Sequence, residues 1–278
     1  MAKIGFSVDG KYARPMTDVV KLLHDTGFDA ISPLWQRGVS LEDTLATAHR
    51  CGMTVQSLHG PLRGLPGMWS GEEEIFRNIR EDVLASAEAC ADFGIPTVVI
   101  HSWSGIDYSF REEDLCFRHF DDLVDLACRR GISVAFENLE GPEFLAALLE
   151  RYKDLSNVGL CWDSGHEMCY APDRDFLQEY GNRLLMTHLN DNYGITDPAG
   201  KLQGTDDLHL IPYQGIGNWE QILKRLKGAK AQEILNFELK IRPKGDRCKV
   251  DLYSKMPLEQ FFREAYEAAC SVAAGYFA

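Results

Sequence analysis

Val158-Gly-Leu-Cys-Trp-Asp-Ser-Gly-His166 changes character abruptly after Trp162. Its first half is continuously apolar, the pattern of a strand covered on both faces, as in a parallel sheet flanked by helices. Its second half offers a carboxylate, Asp163, and an imidazole, His166, across a Ser-Gly turn. A buried strand that ends in ligand-type side chains is how the active end of a parallel α/β fold reads. One such strand would be weak grounds for a fold, but at least four others in this chain end the same way.

Working outward, the same unit repeats in both directions. Upstream, residues 133–138 read as strand and 142–153 as the helix after it; before them come strand 97–101 and helix 112–130, closed by Gly131. Strand 54–59 is followed by a Gly/Pro-rich loop at 60–71 and a long helix at 72–93, with acidic residues in its first turn and Gly94 at its end. The chain begins with strand 3–9, helix 16–27, strand 28–35 and helix 41–52. Downstream of His166 stand helix 173–182, strand 184–189, helix 218–226, strand 233–238 and a last helix at 257–274. Residues 190–217 lack helical periodicity and are rich in Gly, Pro, Asp and Asn, and a loop of that length in a compact domain is usually functional.

Eight β/α units with no interposed domain predict an α/β protein, a closed (β/α)8 TIM barrel formed as a single domain over residues 1–278. The 278 residues, 45% hydrophobic and 26% charged, suit one such barrel. No Gly-x-Gly-x-x-Gly follows the first strand, which disfavours a dinucleotide-binding sheet. A formal net charge of −13 disfavours unaided binding to nucleic acid or to an anionic membrane surface. A small-molecule substrate is the expected partner, with self-association into a homo-oligomer allowed. The N-terminus carries no basic segment followed by a sustained apolar run, and no apolar stretch approaches membrane-spanning length, so a soluble cytoplasmic protein is expected. Eight cysteines (Cys51, Cys90, Cys116, Cys128, Cys161, Cys169, Cys248 and Cys270) form no C-x-x-C pair. They are expected to be reduced thiols, mostly core filler.

In a barrel, functional groups sit at the carboxyl ends of the strands. The predicted strands end at His59, His101, Glu137, Asp163 with His166, His188 with Asp191, and Glu238, and the long loop adds Asp207 and His209. Five of the eight histidines therefore fall at one rim or in its loop, while His24, His49 and His119 fall in helices. Glu137, Asp163, His188 and Glu238, one from each of the last four strands, make a mixed oxygen and nitrogen set suited to Mn²⁺, Mg²⁺, Co²⁺ or Zn²⁺. A divalent ion would polarise a substrate carbonyl while Glu137 and Glu238 flank the site as candidate acid and base. His59, His101, His166, Asp207 and His209 are candidate substrate contacts, and Trp103 is the candidate aromatic wall. Any one of these residues alone reads as a hydrogen-bonded side chain. The joint pattern points to a metal site, because a strand-terminal Glu is costly to bury without a partner.

Phe136-Glu-Asn-Leu139, Trp162-Asp-Ser-Gly-His166, Thr187-His-Leu-Asn-Asp191, Asp207-Leu-His-Leu-Ile-Pro212, Gly215-Ile-Gly-Asn-Trp219 and Phe237-Glu-Leu239 resemble, in this order, the xylose isomerase-like TIM-barrel superfamily. Nearly the whole chain is covered, and the sugar (phosphate) isomerase/epimerase branch is the more similar. The resemblance implies a divalent metal held by Glu137, Asp163, His188 and Glu238, the two Glu as acid/base pair, and His166 on a substrate oxygen. The expected function is a metal-dependent sugar or sugar-phosphate isomerase or epimerase working through an enediolate.

The alternatives are a zinc-dependent apurinic-site endonuclease and a non-catalytic barrel that binds a sugar or a metal. Endonucleases of the superfamily bind three zinc ions, and residues of matching type stand at His59, His101, Glu137, Asp163, His166, His188, Asp207, His209 and Glu238. The net charge and the scarcity of basic clusters in the rim loops weigh against a DNA-backbone binder. Ketose 3-epimerases of the superfamily place an Arg six residues after the seventh-strand His, where this chain has Gly194. Arg63, Lys240 and Arg242 are the cations available to an anionic substrate group.

Overall fold

The computed structural model describes residues 3–71, 77–241, 252–253 and 255–278. Nine parallel strands are present among them: β1 (Lys3–Val8), β2 (Ala30–Pro33), β3 (Thr54–Val55), β4 (Leu58–His59), β5 (Thr97–His101), β6 (Ser133–Glu137), β7 (Val158–Asp163), β8 (Leu184–His188) and β9 (Ile234–Phe237). They run in two ladders, β3-β2-β1-β9 and β4-β5-β6-β7-β8. Two single parallel bridges, Leu34 with His59 and Leu189 with Phe237, join the ladders and close the cylinder.

The barrel therefore has eight staves, as the sequence predicts, but the third is broken. Thr54–Val55 pairs with β2, and Leu58–His59 pairs with β5 after Gln56 and Ser57. The break lets one short stave serve both ladders.

Around the strands lie α1 (Met16–Thr26), α2 (Glu42–Arg50), α3 (Arg77–Asp92), α4 (Arg118–Arg130), α5 (Pro142–Arg151), α6 (Ser164–Tyr170), α7 (Phe176–Tyr180), α8 (Trp219–Lys227) and α9 (Leu258–Phe277). None of the described helices is long and apolar enough to cross a membrane. The predicted acidic first turn of the third helix lies outside the described residues, as do Cys248 and Arg242. The fourth helix starts at Arg118 rather than at residue 112; residues Glu112–Asp114 form only a 3-10 turn.

The Ser-Gly turn expected after Asp163 is instead the first turn of α6. The reason is capping: the Asp163 carboxylate accepts the His166 backbone N–H at 2.7 Å, satisfying a donor the helix start would leave unpaired. Residues 173–182, read as one helix, contain the short α7, whose N-cap Asp175 accepts from Gln178 N.

Strand alternation then sorts the core. Val98, Ile100, Val134, Phe136, Leu160 and Trp162 belong to the large cluster shared with the helices. Val99, Ala135, Cys161 and Met186 form a separate buried cluster. His101, Glu137, Asp163 and His188 stand two residues further along the same strands, hence on the same face. The ligand-type residues are thus a polar layer seated on an apolar plug.

Candidate functional site

Sheet register does the first part of the positioning. His101 is the cross-strand partner of Glu137, and Asp163 is the partner of His188. Glu137, with no exposed surface, is the hub. Its Oε2 lies 3.0 Å from His59 Nε2 and 3.4 Å from His101 Nε2. Its Oε1 lies 2.9 Å from His188 Nδ1 and 3.3 Å from His166 Nδ1. Glu238, one residue beyond β9, brings Oε2 to 2.9 Å from the same His188 nitrogen, and its Oε1 accepts from Lys240 Nζ at 2.8 Å.

A second group forms beside the first. His209 Nε2 lies 3.1 Å and His166 Nε2 3.6 Å from Asp207 Oδ2. Asp207 and His209 come from the long loop, and His166 from α6. His209 holds a left-handed backbone, φ 52°, a conformation that costs a non-glycine residue energy and needs its surroundings to enforce it. Asn192 provides part of that enforcement: its Oδ1 accepts the backbone N–H groups of Leu208 and His209, and its Nδ2 donates to Asn190 Oδ1 at 3.3 Å. Asn190 in turn donates to both Asp163 oxygens at 3.0 and 2.9 Å. A Cβ at Gly165 would fall 1.8 Å from Asn190 Oδ1, so the glycine of Trp162–His166 is what lets this amide approach.

The ring tautomers follow from acceptors that cannot donate. Nδ1 of His59, His166 and His209 lies 2.9, 2.9 and 3.0 Å from the carbonyl oxygens of Gly60, Asn138 and Glu238. Each Nδ1 therefore carries a proton, and each Nε2 is turned toward the carboxylates. An imidazole whose far N–H is fixed by a carbonyl is the arrangement metal-binding histidines use.

Charge follows the same plan. Burial alone would raise the Glu137 carboxyl, but His188, His101 and His59 hold it well below the usual carboxylate range. Burial likewise works against ionised Glu238, which Lys240, His188 and His209 hold low. Burial is the main force raising Asp163. It also opposes charge on His188, which Cys161, Glu137 and Glu238 nonetheless hold well above the ordinary imidazole value. Since burial raises the Cys161 thiol to about 12, that thiol is neutral at pH 7 and the two carboxylates supply the charge. His166 is raised to about 10 by Asp163 and Asp207 against burial, whereas burial lowers His101 to about 4.

These residues fit a divalent ion. The ligand atoms of His59, Glu137, His188 and Glu238 lie within 4.8 Å of one another, as do those of His166, Asp207 and His209, and of two further groups that both include Asp163. Ligands at about 2.0–2.2 Å from a zinc ion stand at most about 4.4 Å apart, so small side-chain shifts would suffice. Above them opens a cavity of about 810 Å³, lined by His101, His166, Asp207, His209 and Glu238 among others. That volume suits a small ligand.

The sequence matches the xylose isomerase-like TIM-barrel family over residues 20–260. The chain belongs to that family. Family membership also agrees with two solved structures of the same fold. One is the IolI protein with a bound zinc atom, at TM-score 0.74, 19% identity and full coverage of both chains. The other is D-psicose 3-epimerase with D-tagatose from Clostridium cellulolyticum H10, at TM-score 0.72, 14% identity and 99% coverage of each chain. A curated relative, the uncharacterized protein y4fM of Sinorhizobium fredii (strain NBRC 101917 / NGR234), is 33% identical over 165 residues, 54% of this chain. The match takes in 49% of that relative, so the chain spans about half the length of the curated relative it matches.

The structure brings together Glu137, Asp163, His188, Glu238, His59, His101, His166, Asp207 and His209. Asp191 is elsewhere: it accepts from the backbone N–H groups of Tyr213 and Gly217 and from Trp219 Nε1, which pins the long loop. The Trp103 ring lies flat on Phe144, centroids 4.1 Å apart and 7° from parallel, and its Nε1 donates to Gly105 O, while Ser104 and Glu140 line the cavity at that corner. Arg63 and Lys240 line it too. Asn138, Asn190, Asn192, Glu140 and Tyr170 carry no sequence signal of their own. Two of the asparagines lie inside the quoted Phe136–Leu139 and Thr187–Asp191 stretches, which is the one hint available.

Proposed function

We infer that the chain is a metal-dependent isomerase or epimerase of a small sugar or sugar derivative, working through an enediolate. The observation that carries the reading is the convergence of two buried glutamates from β6 and the end of β9 on one buried histidine, His188, below a cavity of small-ligand size. Glu137, Asp163, His188 and Glu238 would hold the ion, which when bound supplies positive charge that polarises a carbonyl and stabilises the charge developing on its oxygens. Glu238, on the cavity wall, takes a carbon-bound proton at its carboxylate and can hand it back, and Glu137, ionised in the resting site, is the candidate acid partner once it has taken up a proton from the medium. His166, with Nδ1 fixed on Asn138 O, directs Nε2 at a substrate oxygen. The two solved structures of the same fold, a 3-epimerase with D-tagatose and a barrel with a bound zinc atom, agree with this chemistry.

One observation favours a second reading, a zinc phosphodiesterase acting on abasic DNA: His166, Asp207 and His209 make a further metal-capable group next to the first. The net charge of −13 opposes it. Two experiments separate the readings. A thermal-shift and turnover screen of ketoses, aldoses and their phosphates with Mn²⁺ should find a stabilising, converted ligand. Three tightly held zinc ions per chain together with nicking of an abasic duplex would instead make the protein a nuclease and end the isomerase reading.

A further inference from the structure

Glu140 stands three residues beyond Glu137 and belongs to none of the metal-capable groups. It is only 9% exposed, yet it lines the cavity. Burial raises its carboxyl, with the backbone N–H groups of its own residue and of Gly105 working the other way, and Oε2 has no hydrogen-bond partner among the described residues. A buried carboxyl oxygen left unpaired is a standing cost to the fold, and the usual reason to keep one is a partner that arrives from outside. Tyr170, from α6, lines the same cavity. Burial, with Asp207 and Glu140 nearby, keeps its phenol protonated far above the ordinary range, so this wall pairs a carboxyl with a neutral hydroxyl.

We propose that Glu140 is a substrate-specificity residue, whose free oxygen takes a neutral hydroxyl of a polyhydroxylated ligand beside Tyr170 and keeps phosphate or carboxylate groups away from that wall. The proposal rests on the carbohydrate reading above and narrows it to an unphosphorylated substrate. A sugar hydroxyl both donates and accepts, so it can give its proton to Glu140 and receive one from Tyr170. A phosphate dianion can only accept, and it would bring negative charge against Asp207 and against a Glu140 carboxyl whose own ionised form burial already disfavours.

The test uses the full chain loaded with Mn²⁺, with D-fructose, D-tagatose and D-psicose and their 6-phosphates as probes. Wild type should convert a free ketose with a kcat/KM at least tenfold above that of its phosphate. Glu140→Ala should raise the KM for the free ketose about tenfold or more with a smaller change in kcat, and its melting temperature should hold or rise because an unpaired buried carboxyl is gone. Glu140→Gln keeps an accepting oxygen without the charge; it should restore the KM for the free ketose and shrink the preference over the phosphate. Should Glu140→Ala fail to fold, the Gln variant alone decides through that preference. An unchanged KM and preference in both variants, with wild type active, overturns this proposal and leaves the isomerase reading standing. A lower melting temperature with unaltered KM makes Glu140 a packing residue and overturns it as well. Wild type that converts a ketose phosphate but no free ketose overturns this proposal alone, and wild type that converts none of the ketoses, aldoses and phosphates of the screen overturns both.

Discussion

Two groups of the same side-chain types sit side by side at the mouth of this barrel, and different forces hold them. His59, Glu137 and His188 end strands, with Glu238 one residue past its own, so parallel ladders whose hydrogen bonds belong to the barrel fix their backbones. His166, Asp207 and His209 depend on side chains: Asp163 capping α6, Asn192 holding the Leu208 and His209 amides, and Asp191 clamping Tyr213, Gly217 and Trp219. The first arrangement can lose a functional side chain and keep its shape, because nothing in the ladder depends on it. The second is built from the polar side chains themselves, so geometry and stability fail together.

The largest effect should come from the strand-borne glutamates. Glu→Gln keeps the volume and an oxygen ligand but removes the base, so Glu137→Gln and Glu238→Gln should each lower turnover by about 10²–10⁴-fold while the melting temperature changes little. The readout is deuterium washed from D₂O into the carbon beside the substrate carbonyl, at metal concentrations that restore occupancy. Wild-type exchange in either variant would make that Glu a ligand only.

Asn192→Ala probes the loop-borne group. It orphans two backbone N–H groups at a cost of about 1–3 kcal/mol each, so the melting temperature should fall by several degrees. Activity should drop about 10–100-fold, as for other residues that orient ligands from behind, while the ions bound by the strand-end group stay. Metal analysis alongside a melting curve checks this. Loss of all metal would mean the two groups are one unit and the contrast is false.

The two groups also share a pH signature. Without an ion, His188 and His166 are held protonated above the ordinary imidazole value, His166 to about 10. Raised folded values stabilise fully below the unfolded imidazole pKa, and that contribution is lost as pH climbs through the folded value, so the ion-free chain should lose stability toward pH 10. Ligation requires the neutral ring, hence metal affinity should rise about tenfold per pH unit for each proton displaced. Zn²⁺ titration calorimetry in buffers of different ionisation enthalpy counts those protons; His166→Gln should leave the count unchanged, and one proton fewer would make His166 a ligand of the ion rather than a substrate contact.

Trp103→Leu should do least. The ring stacks on Phe144 outside both groups, and losing an aromatic pair costs about 0.5–1.5 kcal/mol, a few degrees of melting temperature. KM should not move; a KM shift would mean that this aromatic wall reaches the substrate.

Much of this was legible in the chain. Val158–Trp162 reads as a doubly covered strand because covering both faces removes the polar alternation, and a residue's place at a strand end is a local property of the sequence. The eight-unit count, the barrel and the candidate set from His59 to Glu238 follow from such local signals. The break in the third stave, the helix hidden in Ser164–Tyr170 and the clamp role of Asp191 do not, since each is decided by a partner distant in sequence or by a cap only the folded backbone can offer. The same holds for the site. Residue types near strand ends determine that oxygen and nitrogen ligands gather at the mouth. Only the closed cylinder decides that Glu137 meets four imidazoles, that Asn190 and Asn192 tie the loop to Asp163, and that Glu140 keeps an oxygen unpaired, because those contacts depend on where the staves and loops come to rest against one another, and no run of neighbouring residues encodes that distance.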